Sequence, residues 1–78
     1  MFSAAEENYL KAIYTLQREH GSLVSTNVIA EKICTKASSV TDMLKKLSAK
    51  NLIDYQKYRG VFLTETGMQL ALKVLRKH

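Results

Sequence analysis

Two groups of residues in this 78-residue chain have types and spacings suited to chemistry, and that chemistry is the holding of an anion. The first is Ser38, Ser39, Thr41, Asp42, Lys45 and Lys46, a cluster of hydroxyls and charges within one stretch. At ~100° per residue, Ser38, Asp42, Lys45 and Ala49 share one direction, opposite an apolar Val40/Met43/Leu44/Leu47 stripe, with Thr41 and Lys46 on the flanks. Small residues let a helix approach base edges, while hydroxyls and ammonium groups bond phosphates and bases. Ser38 and Ser39 fall at the helix start, where backbone N–H groups and the dipole also favour a phosphate. Asp42 would be repelled by a phosphate. It either accepts from a cytosine amino group or caps its own helix, capping being the commoner role for such a residue. Taken alone, this face suits DNA contact and plain solvation equally.

The second group, Lys57-Tyr58-Arg59-Gly60, tilts that balance toward DNA. A purely structural turn more often carries Asn, Asp or Ser with its glycine. Arg59 suits a narrow minor groove or a phosphate, and Lys57 suits a phosphate. Tyr58 serves either as a packing partner for the sugar-phosphate backbone or as a cross-strand partner.

The charge map agrees. Net charge is +5, and residues 36–59 hold six basic and two acidic side chains, net +4, whereas residues 1–35 are net −1. A polyanionic partner follows, with nucleic acid ahead of membrane because no basic helix also shows a broad exposed apolar face. An acidic protein docking on the same basic face is the competing class, since fold does not fix function. Two histidines, one cysteine and no clustered carboxylates give no acid–base or nucleophile constellation, so an enzyme is not expected. The lone Cys34 cannot form an internal disulfide, which fits a reducing cytosol, and at the end of an apolar stretch it reads as a small buried hydrophobe. No apolar run approaches the ~18 residues of a membrane span, and the N-terminus lacks the basic and apolar regions of a signal peptide.

The elements that must position these groups are legible as periodicities. Ser3 and Glu6 form a capping-box pattern ahead of Tyr9, Ala12, Ile13 and Leu16 at helical spacing, and Gly21 marks the C-cap. Ser25-Thr26-Asn27 supplies N-cap candidates for a short second helix through Val28, Ile29, Ala30 and Ile33. After a tight turn at Cys34–Ala37 comes the third helix, with Ser39 and Asp42 spaced as a variant capping box and Asn51 as a left-handed cap. Ile53 and Tyr55 alternate with polar residues, Val61-Phe62-Leu63 returns, and Gly60 takes the turn's positive φ. Thr64 precedes a final helix with Met68, Ala71, Leu72 and Leu75 on one stripe and Leu70, Val74 and His78 on another. The fold class predicted is mostly α with a small β-hairpin: a winged helix-turn-helix of three helices, a two-stranded wing and a fourth helix running to the C-terminus. Residues 1–64 read as the winged-helix DNA-binding domain. Residues 65–78 read as the start of a helix leading to a dimerisation and metal-binding domain that this chain lacks, because the apolar pattern is still running at Arg76-Lys77-His78.

Tyr9-Leu10-Lys11-Ala12-Ile13-Tyr14, Ile29-Ala30-Glu31 and Ser38-Ser39-Val40-Thr41, in this order and spacing, resemble the metal-dependent repressors of the diphtheria toxin repressor family. The segment Tyr55 to Thr64 is most similar to the wing of the manganese transport regulator branch. The resemblance implies a cytoplasmic transcriptional repressor of metal-uptake genes that binds palindromic operators as a homodimer, with Mn²⁺ or Fe²⁺ as co-repressor. It implies DNA contacts by Thr26, Asn27, Lys36, Ser38, Ser39, Thr41 and Asp42. It also implies a metal site with one ligand at the position of Asn8 and a histidine matched by His78. At these positions the chain departs from the pattern. Asn8 stands where the manganese branch has aspartate and the iron branch methionine, and Lys11 replaces a further carboxylate. An amide oxygen binds a hard cation more weakly than a carboxylate, and an ammonium group cannot bind one.

Overall fold

The computed structural model describes residues 3–21, 23–56 and 59–76. Helix α1 (Ala4–His20) begins with a full capping box: the Glu6 N–H donates to Ser3 Oγ and the Ser3 N–H to Glu6 Oε1, both at 3.2 Å. It ends at Gly21, whose left-handed backbone (φ 70) lets its N–H reach Gln17 O at 2.7 Å. Between the caps, Tyr9, Leu10, Ala12, Ile13 and Leu16 are buried, as the spacing predicts.

Helix α2 (Thr26–Ile33) is capped by Ser25, whose Oγ accepts from Val28 N–H at 3.2 Å. Here the structure corrects one expectation. Cys34 is exposed rather than buried, because it serves as the left-handed C-cap (φ 62) with its N–H on the carbonyls of Ala30 and Glu31. A residue in that conformation leaves the helical screw, so its side chain departs from the apolar face that the sequence assigns to it.

A second correction concerns α3 (Ala37–Ala49). The N-cap is Lys36, with no side-chain capping bond, so Ser39 and Asp42 form no capping box. The helix starts before Ser39, which leaves both residues inside it and exposed. Thr41 Oγ1 instead donates back to Ala37 O at 3.1 Å. The core stripe is Val40, Leu44 and Leu47, all fully buried, with Met43 packed at its edge. Asn51 does take the left-handed conformation (φ 61) beyond the end.

Strands β1 (Ile53–Gln56) and β2 (Gly60–Leu63) pair antiparallel, in a register running from Ile53 opposite Leu63 to Gln56 opposite Gly60. Val24 adds a one-residue third rung: it exchanges both backbone hydrogen bonds with Val61, each 2.9 Å. Gln17 Oε1 accepts from the Leu63 N–H at 2.9 Å, fastening α1 to the same strand.

Helix α4 (Glu65–Arg76) starts at Thr64, whose Oγ1 accepts from the Gly67 N–H and donates to Asn51 O. Its buried stripe is Gly67, Ala71 and Val74, which differs from the two stripes expected from the sequence. Gly67 joins the stripe because a Cβ there would lie 1.8 Å from Leu52 O, so only glycine allows the helix to sit this close. Leu75, assigned to the principal stripe by periodicity, is 37% exposed.

An ion pair ties the first helix to the C-cap of the third: Lys50 Nζ donates to Glu6 Oε2. The Lys50 ammonium, and then the Ser3 backbone N–H, hold the Glu6 carboxyl below the ordinary carboxylate range. Among the described residues, no helix is long and apolar enough to cross a membrane.

Candidate nucleic-acid interface

The structure mounts α3 with its apolar stripe on the core and its polar residues toward solvent. Lys36, Ser38, Ser39, Asp42, Lys45 and Lys46 are exposed, and Thr41 is half-buried. Burial of Val40, Leu44 and Leu47 fixes the rotation of the helix, since turning it by half a revolution would drive three aliphatic side chains into water, at about 1.5–3 kcal/mol each. The outward set therefore follows from the inward one. α2 packs against α3 across the Cys34–Lys36 turn, completing a helix-turn-helix.

The wing lies against the start of α2. A hollow of about 170 Å³ is lined by Ser25, Thr26, Asn27, Tyr55, Arg59 and Gly60, so it gathers Thr26, Asn27 and Arg59 from sites more than thirty residues apart. Its chemistry suits a phosphate oxygen: hydroxyls and an amide at a helix N-terminus, a guanidinium, and backbone N–H groups at the positive end of a dipole. The cause of this meeting is the Val24–Val61 rung, which holds the residue before Ser25 against the residue after Gly60. Sequence reasoning missed Ser25 and Tyr55 as members of this hollow. Ser25 is visible in the sequence only as a cap, and Tyr55 only as one position in a period-two alternation. Lys57 and Tyr58 lie outside the described residues.

The candidate metal ligands are elsewhere. Asn8 is exposed on α1 and lines a cleft with Lys11 and Lys32, and His78 lies outside the described residues. Among the described residues, no three His, Cys, Asp or Glu side chains come together as a metal site. An amide oxygen in a cleft lined also by two lysines and no acidic residue does not fit a divalent cation, which needs anionic oxygen donors.

The model of the iron-dependent repressor N-terminal DNA-binding domain matches residues 1–61. Among curated proteins, a helix-turn-helix-type transcriptional regulator of Methanocaldococcus jannaschii is 38% identical over 76 residues, covering 97% of this chain and 61% of that protein. The transcriptional regulator MntR of Bacillus subtilis is 35% identical over the whole chain and 54% of its own length. The chain thus spans about half to three-fifths of the length of the curated relatives it matches. Among solved structures, the manganese regulator SloR superposes with a TM-score of 0.77 at 40% identity, covering 94% of this chain and 34% of that one. ScaR with bound Zn²⁺ gives 0.78 at 34% identity, covering 94% and 33%. The MepR–DNA complex of S. aureus gives 0.78 at 23% identity, over 97% of this chain and 56% of that one, which shows the fold alone.

Proposed function

The chain belongs to the iron-dependent repressor family as an N-terminal DNA-binding domain, and we propose that it reads a palindromic operator as one half of a homodimeric, cytoplasmic repressor of metal-uptake genes. Residues 1–64 are the reading head. α3 enters the major groove, with Ser38, Ser39, Thr41, Asp42 and Lys45 toward base edges and Lys36 and Lys46 toward phosphates. Thr26 and Asn27 hold a phosphate from the start of α2, and the wing residues Lys57, Tyr58 and Arg59 contact the flanking backbone or minor groove. α4 leads on to the dimerisation and metal-binding part of the longer protein. Control by Mn²⁺ or Fe²⁺ belongs to that longer protein, with His78 as one candidate ligand. Asn8 contributes at most a weak amide donor, so the strong ligands come from outside the described residues. The role is binding, not catalysis.

The observation that carries this reading is the hollow that brings Thr26, Asn27 and Arg59 together, beside a helix-turn-helix whose second helix turns hydroxyls and ammonium groups to solvent. The test is a salt titration of operator binding by the full-length protein with Mn²⁺ or Fe²⁺ present. Affinity should fall linearly on a log–log plot, and Arg59→Ala should reduce the slope by about one unit if Arg59 neutralises one phosphate. Binding that is absent, or indifferent to salt, refutes the proposal.

A further inference from the structure

A cleft of about 320 Å³ opens between three helices, away from the reading face. α1 contributes Asn8, Lys11, Ala12 and Thr15 at i, i+3, i+4 and i+7, α2 contributes Lys32 and Ile33, and α4 contributes Leu75. Two features set it apart. Its lining includes two lysines and no acidic residue, and neither lysine pairs with an acidic side chain among the described residues. Glu7, one turn before Lys11, does not line it. Its floor is aliphatic, and it includes Leu75, which is the exposed large hydrophobic among the described residues. Polar Asn8 and Thr15 complete a wall that offers both donors and acceptors. The volume sits at the lower end of the ~300–1,000 Å³ usual for ligand sites.

We propose that this cleft binds a small organic carboxylate with an apolar body, and not a divalent cation. The carboxylate lies between the Lys11 and Lys32 ammonium groups, and the hydrocarbon covers Ala12, Ile33 and Leu75. An amide and a hydroxyl supply the remaining hydrogen bonds. Two lysine charges on the lining disfavour a metal ion in the same place, so in this chain the cleft accepts the opposite sign of ligand. The proposal does not depend on operator recognition, and failure of DNA binding would leave it standing.

The test is ¹⁵N–¹H correlation spectroscopy of the 78-residue chain titrated separately with hexanoate, hexanamide and Mn²⁺. Hexanoate should cause saturable shifts at Asn8, Lys11, Thr15 and Ile33. Water-exposed ammonium groups contribute up to about fivefold each in affinity, so the neutral amide should bind several-fold more weakly. Lys11→Gln and Lys32→Gln should each weaken hexanoate by about threefold to fivefold while leaving hexanamide and the spectrum's dispersion unchanged. Equal response to acid and amide, shifts that are scattered and never saturate, or broadening by stoichiometric Mn²⁺ centred on Asn8 and Lys11 would each overturn it.

Discussion

Replacing Gly60 by alanine should damage this domain far more than replacing Gly21, although both glycines have positive φ (131 and 70). At Gly21 an added Cβ meets nothing within 4 Å, so the cost is that of a left-handed alanine, about 1–2 kcal/mol. At Gly60 the same atom would lie 2.5 Å from Val24 O and 2.9 Å from Val24 C, both backbone atoms that cannot rotate away. Alanine must therefore push β2 off Val24 and stretch the two 2.9 Å hydrogen bonds of the Val24–Val61 rung. Backbone strain of about 1–3 kcal/mol and two weakened hydrogen bonds of about 0.5–1.5 kcal/mol each give a loss of about 2–6 kcal/mol. A chain of this length has about 4–12 kcal/mol of stability in all. Urea unfolding followed by circular dichroism should show Gly60→Ala with its midpoint lowered by about 2 M or more, given a slope near 1 kcal/mol/M. Gly21→Ala should move by about half that. In operator binding at low temperature, where both variants are folded, only Gly60→Ala should lose affinity, because the hollow between α2 and the wing opens. Equal midpoints for the two variants would refute the claim that close approach to Val24, rather than φ alone, demands glycine at position 60.

Two other perturbations test the packing. Glu6 has its carboxyl held below the ordinary value near 4.5 by Lys50 and the Ser3 N–H, so its contribution is present above that pH and is lost as pH falls through the lower, folded value. Glu6→Gln keeps the cap but loses the charge. It should cost about 0.5–1 kcal/mol at neutral pH, discounted because Lys50 is half open to water, and the gap from the parent should close in acid denaturation profiles. Cys34, exposed and left-handed, should be modified by a thiol reagent in the native state without unfolding, and Cys34→Gly should raise stability by about 0.5–1 kcal/mol. A protected thiol or a destabilised glycine variant would contradict the cap assigned to that residue.

What the sequence discloses here is whatever is local. The Ser3–Glu6 box, the Gly21 and Asn51 caps and the Val40/Leu44/Leu47 stripe act within one or two turns of helix, and each is found where the pattern places it, as is the positive φ of Gly60, though not the approach of Val24 to that glycine. The Ser39–Asp42 box failed because α3 begins at Ala37 with Lys36 as its cap, a boundary set by how the chain leaves α2. Cys34 failed for a related reason: the last apolar position of a short helix was taken by its cap. The long-range contacts, including the one that builds the hollow, could not be read at all. Val24 pairs with Val61 across 37 positions, Gln17 with Leu63 across 46, and Glu6 with Lys50 across 44, and no periodicity encodes such meetings.

The joint at Thr64 has a mechanical consequence. Its N–H donates to Leu52 O at 3.1 Å, its hydroxyl to Asn51 O at 2.7 Å, and that hydroxyl receives the Gly67 N–H, while Gly67 itself rests on Leu52. The first turn of α4 and the root of the hairpin are therefore welded, with no hinge between them. A torque delivered along α4 is passed to the base of the hairpin through these bonds. It turns the first turn of α4 and the hairpin root as one piece, as a shaft turns the tool keyed to its end. If the proposed homodimer forms, a force carried along α4 would change where each domain points, and through that the distance between the two along a duplex.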